Sequence, residues 1–170
     1  TRHRLASACA LLDALPWGSE LRSQLVSWFI SAQLEGYRRS VCTISEANPP
    51  PQSLAAHCER LIAFYHRKLD EVHSAFGSVF PGSWRLEEQL SLEFCRITGD
   101  YLAQVLAKNP SAYAPADVTR ALDALADLER ALHAAAQASQ FVGLLTGAFA
   151  PHLSGVVNAT LAELRRAVAA

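Results

Sequence analysis

The sequence predicts an all-α fold: an elongated or bundled array of about six to seven amphipathic helices in one helical region, residues 1–170. Apolar residues recur at helical spacing along most of the chain. Prolines and glycines divide it into segments of helical length. The β-prone run at residues 41–44 is too short to make a sheet. We expect residues 1–108 to form a first bundle of helical hairpins and residues 116–170 to continue with further helices.

The composition is that of a folded protein that does not bind nucleic acid. The chain has 51% hydrophobic and 18% charged residues, too apolar for a disordered tail. Its formal net charge is −1 and its basic residues are scattered, so no field attracts nucleic acid. The four cysteines are far apart, which favours reduced thiols in a cytosolic protein. Because methionine is absent, we expect the chain to be part of a longer protein.

The first two helices are predicted between the amino end and a proline run. An apolar stripe starts at Leu5 and ends before Pro16, and Asp13 interrupts it, which favours an amphipathic helix over a signal peptide. Ser19 is the expected N-cap of a second helix reaching about Arg39. The apolar stripe of that helix comprises Leu21, Leu25, Trp28, Phe29, Ala32 and Tyr37. The prolines of residues 48–51 predict a loop.

The third and fourth helices have the clearest amphipathic patterns. Ser53 is the expected N-cap of the third, and residues 76–83 form a turn before a fourth helix from Trp84 to about Lys108. Gly99 should cost up to about 1 kcal/mol relative to alanine, so we expect a kink or a close helix crossing there. The third stripe comprises Leu54, Cys58, Leu61, Phe64, Tyr65, Leu69, Val72 and Phe76, and the fourth comprises Leu86, Leu90, Phe94, Ile97, Tyr101, Leu102 and Val105.

Three further helices are predicted after a loop at residues 109–115. The fifth carries an apolar stripe from Val118 to Leu132. Ser139 opens a short sixth helix, and Pro151 suits the first position of a seventh. The longest uncharged window, residues 141–161, is broken by glycines and a proline, so we expect no membrane span. The stripe of the seventh helix comprises Val156, Val157, Leu161, Leu164 and Val168.

The sequence offers no catalytic, cofactor-binding or metal-ligating residues, and we expect neither an enzyme nor a cofactor. No two histidines have the i, i+3 or i, i+4 spacing of metal ligands on a helix. The repeated Glu-x-x-His motif of di-iron bundles is also missing, and the nearest match, Glu129 with His133, is one residue too long and occurs once. Phosphate-binding and nucleophile motifs are absent. We interpret Trp17, Trp28 and Trp84 as aromatic anchors of an internal core, although wide apolar faces can also mark a docking surface.

Several ordered motifs resemble subunit fifty-three of the vacuolar protein sorting group, over nearly the whole chain and in its middle segment. The main block is Phe80-Pro81-x-x-Trp84, then Glu88, then Glu93-Phe94-Cys95-x-x-Thr98-x-x-x-Leu102. Further matches, in order, are Ala8 with Cys9; Phe29, Gln33, Leu34 and Tyr37; Ala121, Glu129 and Leu132; Phe141 with Gly143; and Phe149, Pro151, His152 and Leu153. Gly99 stands where the resemblance would place a basic residue.

The resemblance implies a non-enzymatic segment of a multisubunit vesicle tether, the Golgi-associated retrograde protein complex or its endosomal relative. Such a tether captures endosome-derived vesicles at the trans-Golgi network, on the cytosolic face of Golgi and endosomal membranes. It is attached peripherally through the complex, which assembles through coiled coils. The implied partners are three sibling subunits, SNAREs and small GTPases. The matched residues are implied to be fold and interaction positions.

Two other classes of function stay open from the residues themselves. The first is an unrelated all-α scaffold or adaptor domain. The second is a helical enzyme or small-ligand carrier, which would need an enclosed cavity with converging polar groups. A tether segment should instead combine a filled core with exposed apolar strips.

Overall fold

The computed structural model describes residues 2–15, 17–42, 50–108, 112–137 and 139–169, and within these ranges the regular structure is all helical, as predicted. The α-helices are α1 (Arg2–Ala14), α2 (Gly18–Ser40), α3 (Leu54–Phe76), α4 (Leu86–Lys108), α5 (Pro115–Ala136) and α6 (Leu153–Ala169). Short 3₁₀ helices lie at Gly82–Trp84, Ser139–Phe141 and Thr146–His152, called the first, second and third. Residues 43–49 and 109–111, parts of predicted loops and of the β-prone run, lie outside the described residues.

The core forms where α3 and α4 meet the other helices. α3 packs most extensively on α5 and also on α4, while α4 contacts α2 and the third 3₁₀ helix. α1 lies on α2, and α6 lies on α5 and the third 3₁₀ helix. The buried apolar residues form one cluster, whose first and last members in the sequence are Cys9 and Phe149. Because burying one large apolar side chain contributes roughly 1.5–3 kcal/mol, this cluster supplies most of the driving force for folding.

The predicted apolar stripes of α3 and α4 are the buried faces of these helices. All seven residues of the α4 stripe are buried, and the α3 stripe is buried or half-buried throughout. α3 begins as predicted, since the Ser53 hydroxyl accepts a hydrogen bond from the Ala56 amide at 3.3 Å. Cys9, Cys58 and Cys95 are buried free thiols, and burial raises the pKa of Cys58 and Cys95 to about 12. These thiols therefore stay protonated at neutral pH.

The predicted stripe of α2 is partly wrong. Phe29 and Tyr37 are buried, but Leu21 is 42% exposed and Trp28 is 67% exposed. The buried face also contains Val26, Ile30 and Leu34, so it is rotated away from Leu21 and Trp28. α2 begins at Gly18, and Trp17, not Ser19, occupies the capping position, without a side-chain cap. The apolar pattern was wider than the face that the neighbouring helices cover.

The predicted sixth helix is replaced by two 3₁₀ helices joined by a turn. Gly143 has a φ of +79°, in the left-handed region that interrupts an α-helix. Pro151 lies inside the third 3₁₀ helix, and α6 begins at Leu153, two residues later than predicted. Glu129 of α5 holds this arrangement by accepting hydrogen bonds from the backbone amides of residues 143, 145 and 146.

Candidate interaction surfaces

The Phe80-Pro81-x-x-Trp84 motif lies at the joint between the amino-terminal helices and α4. The Phe29 and Phe80 rings have centroids 5.0 Å apart, and Phe80 and Trp84 are 5.7 Å apart. Pro81, half-buried, precedes the first 3₁₀ helix, which places the buried Trp84 indole against α1. Trp84 Nε1 donates a hydrogen bond to Asp13 Oδ1 at 3.0 Å. The motif therefore connects α1 and α2 to the beginning of α4.

Asp13 is a member of this joint that the sequence did not reveal. Its carboxylate also accepts a hydrogen bond from the Ser83 hydroxyl at 3.0 Å and pairs with Arg22 at 3.1 Å. The hydrogen bonds from Trp84 and Ser83, with the contribution of Arg22, lower the pKa of Asp13. No local pattern around an aspartate predicts partners 70 residues away in the chain.

Tyr37 and Thr98, two further motif residues, join α2 to α4 in the interior. Their hydroxyl groups lie 2.8 Å apart, and burial raises the pKa of Tyr37 well above its usual range. The Tyr37 ring stacks on Phe64 of α3, with centroids 4.6 Å apart and 17° between the planes. Phe94 lies against the same ring at 5.2 Å. These contacts bring α2, α3 and α4 together at one point.

The remaining motif residues of α2 and α4 surround that point. Glu93 pairs with Arg38 of α2 at 3.1 Å, at the edge of the interface. The same carboxylate reaches Arg96, one turn further on, at 3.6 Å. The interior members of the set are Leu34, Cys95 and Leu102, and Gln33 is half-buried.

Glu129 determines the path of the chain after α5. Its buried carboxylate accepts hydrogen bonds from the backbone amides of Gly143, Leu145 and Thr146 at 3.3, 2.5 and 3.0 Å, and from the Thr146 hydroxyl at 2.9 Å. Both oxygens are therefore fully used as acceptors. From the sequence, Glu129 was expected to be a motif residue and not a metal ligand. Its hydrogen bonds to the backbone of residues 143–146 were not predicted.

The last motif, Phe149 to Leu153, runs from the core to the surface. Phe149 is fully buried against α4, whereas Pro151 is exposed and His152 is half-buried. Leu153 is 38% exposed at the start of α6. The motif residues thus lie at the joints between elements and do not gather into one pocket.

A second unpredicted carboxylate, Asp117 of α5, caps α3. It accepts hydrogen bonds from the Ser53 hydroxyl at 2.9 Å and from the Leu54 and Ala55 amides at 2.7 and 3.3 Å. Burial raises the pKa of Asp117, but these hydrogen bonds and Arg120 together lower it by more. The pKa of Asp117 is therefore below its ordinary value. In the sequence, Asp117 is recognisable only as an acidic residue in the first turn of α5. That position suggests an interaction with the amino end of α5 itself, not with α3.

Large apolar side chains are exposed on α2 and α6, and also on α1 at Leu5 and Leu11. On α2, the outer face comprises Trp17, Leu21 and Trp28, separated by four and seven residues and so on one side of the helix. The interpretation of Trp17 and Trp28 as core anchors is wrong, whereas for Trp84 it is correct. On α6, the outer face comprises Leu153, Val157, Leu161 and Leu164, between 38% and 56% exposed.

Two clefts open to solvent in the described part of the chain. The apolar cleft, about 500 Å³, lies between α3, the first 3₁₀ helix, α4 and α5. Its charged groups are paired, since Glu88 contacts Arg85 and Glu87 contacts His73. The arginine cleft, about 390 Å³, lies between the end of α2 and α3, and Arg60 and Arg67 line it.

The described residues contain no cluster of three or more groups suited to a metal ion. Among the helices in these ranges, none combines the length and the apolar character needed to cross a bilayer.

Comparisons with known proteins agree on one family. The family model described as "Vps53, N-terminal" matches residues 1–169. The Vacuolar protein sorting-associated protein 53 homolog of Caenorhabditis elegans is 26% identical over 105 residues, covering 62% of this chain. The aligned part is 12% of that relative's length. The family description refers to an N-terminal region, whereas the motifs suggested the middle of the subunit. No solved structure matches the chain significantly.

Proposed function

The chain belongs to the Vps53 N-terminal family, and from this premise we propose that it is a non-enzymatic segment of a vesicle-tethering subunit. Members of this family are subunits of a multisubunit tethering complex. The family match over residues 1–169 is the observation that carries the proposal. The segment provides a helical body through which the parent subunit contacts its partners.

We also propose the transport pathway in which this tether acts. The tether acts in retrograde transport from endosomes to the trans-Golgi network, in the Golgi-associated retrograde protein complex or its endosomal relative. It is held peripherally on the cytosolic face of these membranes by the assembled complex. Its partners are the sibling subunits, with SNAREs and small GTPases as further contacts. The ordered motifs from Phe29 to Leu153 support this assignment.

The architecture suits a part that works through shape and surface. Motif residues join α1 to the first 3₁₀ helix, α2 to α3 and α4, and α5 to the backbone around the third 3₁₀ helix, which holds these elements in fixed positions. The outer faces of α2 and α6 leave large apolar side chains exposed to solvent. Exposed apolar side chains at helical spacing are typical of faces that receive another helix. In the described part of the chain, the apolar cleft and the arginine cleft are both open to solvent, whereas a ligand carrier would need an enclosed cavity.

The broad test is deletion of residues 1–170 from the parent subunit, co-expressed with its sibling subunits. We expect loss of subunit assembly or of vesicle capture, measured by affinity purification and by binding of endosome-derived vesicles to the purified complex. Unchanged assembly, membrane recruitment and vesicle capture would contradict the proposal.

A sharper test uses the α6 outer face. Leu161→Asp with Leu164→Asp should reduce recovery of the sibling subunits, because charge on this face opposes burial against a partner. Both side chains are about half exposed, so the fold should be retained. The matched control is Ala162→Asp, also exposed but on the opposite side of α6. Equal recovery from both variants would exclude this face from assembly.

A further inference from the structure

The arginine cleft combines an apolar floor with two cations on one face of α3. Arg60, Phe64 and Arg67 are separated by four and three residues, so they follow one another along the same side of the helix. Seven residues of helix place the two arginine backbones about 10 Å apart. Phe64, half-buried and stacked on Tyr37, forms the apolar surface between them.

The two arginines lack carboxylate partners among the described residues. Within the described ranges, Arg60 contacts the His57 imidazole at 3.2 Å, and neither Arg60 nor Arg67 has an ion pair. Glu71, one turn beyond Arg67, is paired with Lys68 at 2.7 Å. Most other arginines do pair with a carboxylate: Arg22, Arg38, Arg39, Arg85, Arg96, Arg120 and Arg130. Among the described residues, no carboxylate neutralises the positive charge of Arg60 and Arg67 at this cleft.

His57 holds Arg60 in place without adding charge. A guanidinium can only donate, so His57 Nδ1 accepts from Arg60 and the ring proton resides on Nε2. Nε2 then donates to the Tyr101 hydroxyl at 3.0 Å. Burial, and then the charge of Arg60, lower the pKa of His57, which keeps this ring neutral at neutral pH. The charge of the cleft thus comes from its arginines.

We propose that the arginine cleft binds a segment of a partner protein that carries two carboxylates, one for each arginine, with an apolar side chain between them. The inference rests on the proposed function, since it takes the partner to be another protein of the tether. Charge complementarity selects an acidic segment, and arginine binds carboxylates through two parallel hydrogen bonds. The concave apolar floor over Phe64 and Leu61 favours a peptide side chain over a flat lipid surface.

The first test identifies the partner group chemically. Arg60→Lys and Arg67→Lys keep the charge but introduce an amine that a carbodiimide joins to a carboxylate within ion-pair distance. The variants are made in the full-length parent subunit within the purified complex, and coupled peptides are identified by mass spectrometry. We expect coupling to an acidic segment of another subunit. Coupling only to lipid carboxylates or to this chain's own acids, or no coupling, would overturn the proposal.

The second test measures affinity. Arg60→Glu with Arg67→Glu should weaken binding of the coupled subunit roughly tenfold, and added salt should weaken wild-type binding in the same direction. The control is Arg96→Glu with Arg130→Glu, which reverses the same amount of charge on exposed positions of α4 and α5. Equal loss in both variants, or no loss in either, would refute the cleft as the site.

The outcomes separate this inference from the proposed function. If deletion of residues 1–170 disrupts assembly but reversal of Arg60 and Arg67 does not, only the cleft inference fails. If deletion leaves assembly and vesicle capture unchanged, the proposed function fails, and the cleft has no partner in the tether.

Discussion

At the residue scale, single carboxylates determine turns that apolar patterning leaves undetermined. Glu129 gives the chain after α5 its path because three backbone amides point at its two oxygens. Buried amides must be satisfied, and a charged acceptor does this more strongly than a neutral one. A glutamine would offer one carbonyl oxygen and turn its own donors toward some of these amides. A carboxylate is therefore the side chain that suits this position.

We expect Glu129→Gln to lower the free energy of unfolding by about 2–4 kcal/mol, because at least one buried amide loses its acceptor and the other hydrogen bonds become neutral. Urea unfolding followed by far-UV circular dichroism measures the change. The control is Asp127→Asn on the same helix, an exposed residue paired with Arg130 at 2.8 Å, with an expected loss below about 1 kcal/mol. Similar losses from both variants would show that Glu129 has no special structural role.

At the element scale, α4 packs closely against the segment that Glu129 positions. The predicted close approach at Gly99 is present, although its partner is the backbone before the third 3₁₀ helix and not a crossing α-helix. A Cβ atom at Gly99 would lie 2.0 Å from the Leu144 carbonyl oxygen. The motif resemblance placed a basic residue here, which this arrangement could not accommodate without moving the Leu144 backbone.

Gly99→Ala should therefore destabilise the protein by more than about 2 kcal/mol, since backbone atoms cannot rotate out of the way as a flexible side chain can. The free energy of unfolding in urea provides the measurement. Gly36→Ala on α2 is the matched control: nothing lies within 4 Å of its Cβ position, so the better helix propensity of alanine should stabilise by up to about 1 kcal/mol. A neutral or stabilising Gly99→Ala would mean that the two segments separate readily.

The sequence predicted best those elements that depend on burial along one regular face. The α3 and α4 stripes were correct because each helix is covered over nearly its whole apolar face. The α2 stripe was partly wrong because periodicity reveals which residues are apolar but not how many neighbours arrive to cover them. Trp17 and Trp28 therefore looked the same as Trp84 in sequence, and only the fold distinguishes them.

The contacts that join one helix or turn to another were predictable only in part. Motif order identified Trp84 and Glu129, but their partners lie far away in sequence or belong to the backbone. Asp13 and Asp117 stabilise other elements through long-range hydrogen bonds that leave no local pattern. The sixth helix was wrong for the same reason, because Glu129 holds that segment in 3₁₀ and turn geometry from outside it. Long-range acceptors are the information that a single sequence does not display.

At the scale of the whole molecule, two carboxylates connect the parts that the core alone would leave less firmly joined. Asp13 attaches the mostly exposed α1 to the first 3₁₀ helix through Ser83 and Trp84. Asp117 attaches the start of α5 to the start of α3. Because their hydrogen bonds are stronger to the ionised carboxylates, both connections depend on pH.

The protein should accordingly lose stability in acid. The pKa of Asp13 and of Asp117 is lower in the folded chain than the ordinary value of 3.8. The unfolded chain therefore takes up protons first, and the stabilisation, complete above pH 3.8, is lost as the pH falls through the lower folded pKa. The free energy of unfolding at pH 6 and pH 3 tests this, and a larger value at pH 3 would contradict it.

Asp117→Asn isolates one of the two contributions. The variant should be about 1–2 kcal/mol less stable than the wild type at pH 6, because the amides of Leu54 and Ala55 lose a charged acceptor. The difference should shrink at pH 3, because Asp117 of the unfolded wild-type chain takes up a proton below pH 3.8 more readily than the folded chain does, which favours unfolding. Asp123→Asn, an exposed change on the same helix, should leave the values at both pH values close to the wild type. If the Asp117→Asn difference is the same at pH 6 and pH 3, the charge of Asp117 does not stabilise the joint between α3 and α5.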